Sequence, residues 1–218
     1  MSATPSTILV VEDDAIVRML IVDVLQELEF SVLEADGSER ALELLEDTAR
    51  NIDLLSAAIR AYLADIGQDG LSDDDADRAQ EVLMFVINLE HAGDILGNLA
   101  QLAVRRTRRG ERFSSFELIQ IQAMHLALLD SLNLAITAFL REDVSAAKAL
   151  IGHKETVRKL EASASREHFR KLQNDKTAWA ESGDIFQRVL RDYRRVHHHI
   201  AALGYTVLER NTASAQAA

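Results

Sequence analysis

Apolar residues recur every three or four positions along most of the chain after residue 50, and this periodicity restricts the fold more than any other feature. The first such stretch has apolar side chains at Ile52, Leu55, Ile59, Tyr62, Leu63 and Ile66. This spacing forms one apolar stripe along an α-helix. The 218 residues include one proline and nine glycines, and aromatic residues make up 5%. We therefore predict a mainly α-helical protein, because an all-β fold would need many more turn residues.

Polar joints with capping side chains divide this region into successive helices. The predicted helices span about residues 52–66, 74–104, 114–141, 143–174 and 184–210. Long helices joined by short connections favour an antiparallel bundle over residues 51–210. The final stretch, NTASAQAA at 211–218, is predicted to be a disordered tail.

The first 50 residues have a different pattern. Ile8–Val11 is a continuous aliphatic run typical of a buried strand, and Ala15–Leu28 has helical apolar spacing. Ser31–Glu34 is a second short strand, and Ser38 can cap a second helix. The order predicts a small βαβα segment with a parallel strand pair, placed before the helical bundle.

An acidic cluster, Glu12, Asp13 and Asp14, follows the first strand. Carboxylates grouped at the carboxyl end of a strand suit a divalent cation, and such a cation suits phosphoryl chemistry. The simpler interpretation is that Asp13 and Asp14 only cap the helix that starts near Ala15.

The segments ILVVEDD, SVLEAD and GSERALELLED occur in an order and spacing that resemble the start of a response-regulator receiver domain, over about residues 7–50. The resemblance implies a truncated receiver, since a full one has five strands and five helices. Where that family has its phosphorylated aspartate, after a stretch like Ile52–Leu55, this chain has Ser56, Ala57 and Ala58. Asp53 and Asp65 do not fit that position. We therefore predict no phosphoacceptor and interpret Asp13 and Asp14 as a vestigial metal pair.

Residues 52–209 are similar to the PhoU-like domain in the cytoplasmic tail of bacterial sodium/phosphate cotransporter-type proteins. The segments that carry this similarity are IDLLSAAIRAYL, QDGLSDDD, INLEHAGDILGNL, RFSSFEL and RDYRRVHHHIAALGYTVLE. The resemblance implies two three-helix repeats. The first helix of the first repeat is missing, and the receiver-like segment stands in its place.

The resemblance also implies a signature in the last helix of each repeat. In the first, Glu90 and Asp94 match the carboxylate pair that binds metal in some members, and His91 is within reach on the same helix. Iron, manganese, zinc or magnesium would suit such ligands. The simpler interpretation is a solvated or hydrogen-bonded carboxylate pair beside Gly93. In the second, Asp192, Arg195 and His199 share a helix face, but arginine and histidine replace the carboxylate pair of PhoU.

Two further features could be functional, but each also has a simpler structural interpretation. His197, His198 and His199 are consecutive, so a helix points them about 100° apart and they cannot bind one ion together. The basic run at residues 105–112 could contact phosphate or anionic lipid headgroups, or it is a solvated helix end.

Charge and composition limit the function. The net charge of −11 opposes nonspecific nucleic-acid binding, and cysteine is absent. No signal peptide or membrane span is predicted, so we expect a cytoplasmic protein, with peripheral association at the inner face of the membrane as an option. No enzymatic constellation stands out. We expect a regulatory or scaffold protein of phosphate transport that binds a transporter or sensor protein, with a homodimer as an option; the alternative is a phosphorelay response regulator.

Overall fold

The computed structural model describes residues 7–68, 70–174 and 185–217. Its elements, in chain order, are β1 (Thr7–Val11), α1 (Ala15–Glu27), β2 (Ser31–Ala35), α2 (Ser38–Gln68), α3 (Asp73–Arg108), α4 (Ser115–Arg141), α5 (Val144–Asn174) and α6 (Ile185–Ala217). The prediction of a mainly helical protein with a small strand pair near the amino terminus is confirmed.

The strands β1 and β2 form a two-stranded parallel sheet, in register from Thr7 opposite Ser31 to Val11 opposite Ala35. The helix α1 and the start of α2 pack on this sheet. Val22 and Ala41 are buried there, whereas most of the apolar stripe of α1 is exposed. The sheet is therefore a small unit attached to the beginning of α2.

The helix α2 is continuous from Ser38 to Gln68, although the sequence predicted two helices with a break near residue 50. Nothing in the local sequence stops the helix, because no glycine or proline lies between Gly37 and Gly67. The second helix of the amino-terminal segment and the first helix of the bundle are thus one rod.

The bundle is organised around α6, which packs against α3, α4 and α5, while α2 packs against α3. Its central core contains Ala92, Ile95, Leu128, Ala135, Leu150, Val196, Ile200 and Leu203. A second cluster, which includes Met124, Val157, Phe186 and Leu190, continues the core along α4, α5 and α6. The length and composition of α4 would allow it to span a membrane, but its buried residues face this core.

Serine side chains cap the amino-terminal ends of α3 and α4. Ser72 accepts a hydrogen bond from the Asp75 amide, and Ser114 forms a reciprocal capping box with Glu117. The polar joint that precedes the predicted helix at 184–210 lies outside the described residues. The helix α6 continues through Ala217 instead of ending near Arg210 as predicted, since the last residues include good helix formers.

The amino-terminal unit leaves part of α2 uncovered. Leu55 and Tyr62, seven residues apart and so on one face of the helix, are 64% and 65% exposed. The amino-terminal unit therefore does not cover this face of α2.

Candidate functional site

The first signature residue, Glu90 on α3, is held by a cation from the neighbouring helix. The Nη1 atom of Arg60 on α2 donates to Oε2 of Glu90 at 2.6 Å, and both side chains are partly buried. His91 and Asp94 are exposed. Glu90 therefore joins α2 to α3 by an ion pair across the bundle surface.

The second signature residue, Asp192 on α6, is buried beside three arginines. Its carboxylate accepts a hydrogen bond from Nη1 of Arg195 at 3.2 Å, and Arg188 and Arg191 lie 3.8 Å and 3.9 Å from its oxygens. A buried carboxylate needs such partners to remain charged. Asp192 thus compensates a cationic stretch of α6.

His199 connects the two signatures across the packing of α3 and α6. Its Nδ1 atom lies 3.1 Å from Oδ1 of Asn88, and its ring meets the ring of His91 edge-on with centroids 5.1 Å apart. Burial lowers the pKa of His199, and the nearby His91, His198 and Arg195 lower it further. The neutral imidazole is favoured, and with its hydrogen on Nδ1 it donates to the side-chain oxygen of Asn88.

A metal ion does not fit the first signature as it is arranged. Within residues 7–68, 70–174 and 185–217, no group of three or more histidine or acidic side chains is placed to hold a metal. Glu90 is committed to Arg60, and the nearest imidazole to His91 is His199. The structure therefore brings His91 and His199 together without assembling the oxygen-rich ligand set that the sequence suggested.

The three consecutive histidines point in different directions, as helix geometry predicted. His197 is buried at 2% exposure, His198 is exposed, and His199 faces α3. Burial is the main cause that lowers the pKa of His197 to about 4, with smaller contributions from His153, Lys154 and His198. The triplet is not a chelating cluster.

The acidic cluster at the end of β1 serves the local backbone. The Oδ1 atom of Asp14 accepts hydrogen bonds from the amides of Ile16 and Val17, which caps α1. Glu12 accepts a hydrogen bond from the Asp14 amide, and Asp13 is exposed. The position of the Asp14 carboxylate is therefore explained by helix capping, which is the simpler of the two interpretations given from the sequence.

Sequence reasoning missed three buried ionisable residues, Glu117, His168 and Arg106. Glu117 and His168 are both buried and lie 3.5 Å apart, between Oε1 and Nδ1. Arg106, within the basic run, is buried with its guanidinium 4.2 Å from the Phe113 ring centroid. The serine and glutamate of the capping box were a detectable signal for Glu117, but nothing local marked Arg106 or His168 as buried.

Comparison with known proteins supports the carboxyl-terminal bundle. Residues 121–207 match the PhoU domain model. The fold resembles the crystal structure of PhoU from Pseudomonas aeruginosa with a TM-score of 0.69 and 20% sequence identity, covering 77% of this chain and 79% of that one. This likeness establishes the fold.

Two curated relatives are named for inorganic phosphate export, YjbB of Salmonella typhimurium and YjbB of Escherichia coli. Each is 28% identical over 174 residues, which cover 79% of this chain. The chain spans about a third, 32%, of the length of these relatives. The domain match over residues 121–207 and the fold support a PhoU-like domain in this chain.

Proposed function

We propose that this chain is a non-enzymatic regulatory or scaffold protein of a phosphate-transport system. The observation that carries the proposal is the similarity over 174 residues, 79% of this chain, to proteins named for inorganic phosphate export, together with the PhoU-like fold. The similarity to the cotransporter tail is part of the same proposal. The site of action is cytoplasmic, at the inner face of the membrane.

We propose that the partner is a protein equivalent to the part of the phosphate-export relatives that lies outside the matched region. In those relatives the matching region is about a third of the chain, so it is part of a longer protein that is named for phosphate export. We infer that the bundle serves the same kind of protein here, within one polypeptide or across an interface. The exposed face of α2 at Leu55 and Tyr62 is the surface we assign to this contact, because large exposed apolar side chains on one face typify interaction sites.

We interpret residues 1–50 as a truncated receiver-like segment, 51–210 as the PhoU-like bundle and 211–218 as a tail. The parallel β1 and β2 pair supports this division. Because Ala57 and Ala58 stand where the receiver resemblance expects the acceptor, incubation with acetyl phosphate should not produce an aspartyl phosphate. A stable phosphorylated aspartate, detected by mass spectrometry, would instead favour the response-regulator alternative.

The decisive experiment measures phosphate flux in cells. Deleting the gene should change the uptake or efflux of radiolabelled phosphate, and the intact chain supplied in trans should restore it. The double variant Leu55→Glu with Tyr62→Glu should fold but fail to restore it, since both side chains are exposed and two charges would disrupt an apolar contact.

The matched control places the same charges elsewhere at the same helical spacing. Ala149 and Thr156 are exposed on α5 and seven residues apart. The double variant Ala149→Glu with Thr156→Glu should restore flux as well as the original chain. Unchanged flux after deletion would overturn the transport role, and equal behaviour of the two double variants would overturn the assignment of the α2 face.

A further inference from the structure

A cationic groove runs between α5 and α6. It has a volume of about 420 Å³ and is lined by Lys154, Val157, Arg158, Arg194, Arg195, His197, His198 and His199. Four of these side chains are permanently cationic near neutral pH, and none carries a carboxylate. The whole chain has a net charge of −11. This concave site therefore groups four cationic side chains on a protein that is acidic overall.

The positive charges of the groove arginines are partly neutralised by carboxylates that do not line the groove. Arg158 pairs with Glu155 at 2.7 Å, Arg194 pairs with Glu161 at 3.0 Å, and Arg195 pairs with Asp192 at 3.2 Å. Each guanidinium has five N–H donors, so one carboxylate contact leaves donors available. These ion pairs hold the arginine side chains in place around the groove.

Lys154 differs from the arginines because no carboxylate of the described residues lies within 4.0 Å of its ammonium group. It is exposed on α5, with His153 beside it in sequence. An ammonium group has three donors and no acceptor. Lys154 thus supplies a cation to the groove that is not neutralised by a described ion pair.

His197 contributes a buried polar group to the groove lining. Its Nε2 atom is buried and has no hydrogen-bond partner among the described residues. A buried polar group without a partner is costly, which favours a ligand that can accept a hydrogen bond from this nitrogen. A neutral imidazole with hydrogen on Nε2 would donate to such an acceptor.

We propose that this groove binds an oxyanion of the phosphate class, with Lys154, Arg158 and Arg194 as charged donors and His197 as a neutral donor. Guanidinium groups match the geometry of phosphate oxygens and can bind two of them at once. The same chemistry would recognise free inorganic phosphate or the phosphate of a lipid headgroup. The proposal goes beyond the regulatory role and does not depend on it, because binding requires only this groove.

The first test titrates the full chain with inorganic phosphate at constant ionic strength, with chloride as the balancing ion. Calorimetry and the imidazole NMR signal of His197 should both show saturable binding. Lys154→Gln and Arg194→Gln should each weaken binding about tenfold, since each removes a charge-assisted hydrogen bond. Lys148→Gln changes an exposed lysine of α5 that lies outside the groove, and it should leave the dissociation constant unchanged.

A second arm distinguishes the two sources of the anion. Sedimentation with phosphatidylcholine vesicles that contain phosphatidic acid should show binding only if the groove admits a headgroup, and Lys154→Gln should then abolish it. Saturable binding of free phosphate that is weakened by the groove variants supports the free anion as ligand. The proposal is overturned if chloride reproduces the phosphate response, or if Lys154→Gln and Lys148→Gln behave alike in both arms.

Discussion

Gly204 of α6 packs directly against the backbone of Ala147 on α5. A Cβ atom added to Gly204 would lie 3.2 Å from the carbonyl oxygen of Ala147, and Leu150 and Ile151 would be as near, at 3.2 Å and 3.3 Å. The absence of a side chain at this position therefore allows the two helices to approach closely beside the core residues Leu150 and Leu203.

We expect Gly204→Ala to destabilise the bundle by about 1–2 kcal/mol, because the new methyl group would lie too close to the backbone of α5. That backbone cannot shift without disturbing the packing of the neighbouring core residues. The matched control is Gly152→Ala on α5, where a Cβ would meet nothing within 4 Å. That change should stabilise by about 0.5–1 kcal/mol through helix propensity alone. Urea unfolding followed by circular dichroism measures both, and equal shifts in the two variants would refute the packing argument.

His197 should make the bundle sensitive to mild acid. Burial holds its pKa at about 4 in the folded chain, whereas an unfolded histidine has a pKa near 6.5. Between these values the unfolded chain binds a proton that the folded chain does not. The contribution of His197 to the free energy of unfolding is therefore fully present above about pH 6.5, and it falls as the pH decreases towards 4.

The expected loss from this one group between pH 7 and pH 5 is about 2 kcal/mol of unfolding free energy. His197→Gln should remove most of that pH dependence, because glutamine does not titrate. His198→Gln is the control, since the neighbouring histidine is exposed. Urea unfolding at the two pH values gives the comparison, and the same pH dependence in both variants would show that His197 is not the acid-sensitive group.

The helices of the bundle were predictable because their signals are local. Ser72, Ser114 and Asp143 lie at polar joints, and each caps the helix that follows through its own side chain. The divergence of His197, His198 and His199 also follows from helix geometry alone. The order of elements in the first 50 residues was predictable for the same reason.

The site was less predictable because its contacts join residues far apart in sequence. Arg60 and Glu90 are 30 positions apart, and Asn88 and His199 are 111 apart. No periodicity or spacing pairs such residues before the helices are packed. The cationic groove was missed for this reason, since its walls come from two helices, α5 and α6, that only packing brings together.

Removing the capping hydroxyl of α4 should cost stability. Ser114 accepts the hydrogen bond of the Glu117 amide, while its own amide donates to the Glu117 carboxylate. Ser114→Ala should lower the unfolding free energy by about 1 kcal/mol. Ser115→Ala changes the exposed next residue, which is not the cap, and should stay within about 0.5 kcal/mol of the original. Thermal unfolding of the two variants side by side decides the point.

The ion pair between Arg60 and Glu90 should couple α2 to α3 weakly. Both side chains retain partial exposure, at 39% and 27%, so solvent screens the attraction. A double-mutant cycle with Arg60→Ala and Glu90→Ala should give a coupling free energy of about 0.5–1 kcal/mol. No coupling at low salt would mean that the pair does not persist in solution.

The same ion pair leads to an expectation about metal. Because Glu90 is engaged by Arg60, and His91 meets the ring of His199 with no third ligand beside them among the described residues, we expect no stoichiometric iron, manganese, zinc or magnesium in the purified chain. Elemental analysis of the chain purified without chelators, beside the variant Glu90→Ala with Asp94→Ala, tests this directly. Stoichiometric metal that disappears in the double variant would mean that Glu90 exchanges Arg60 for a cation, and that His91 and Asp94 turn towards the same ion.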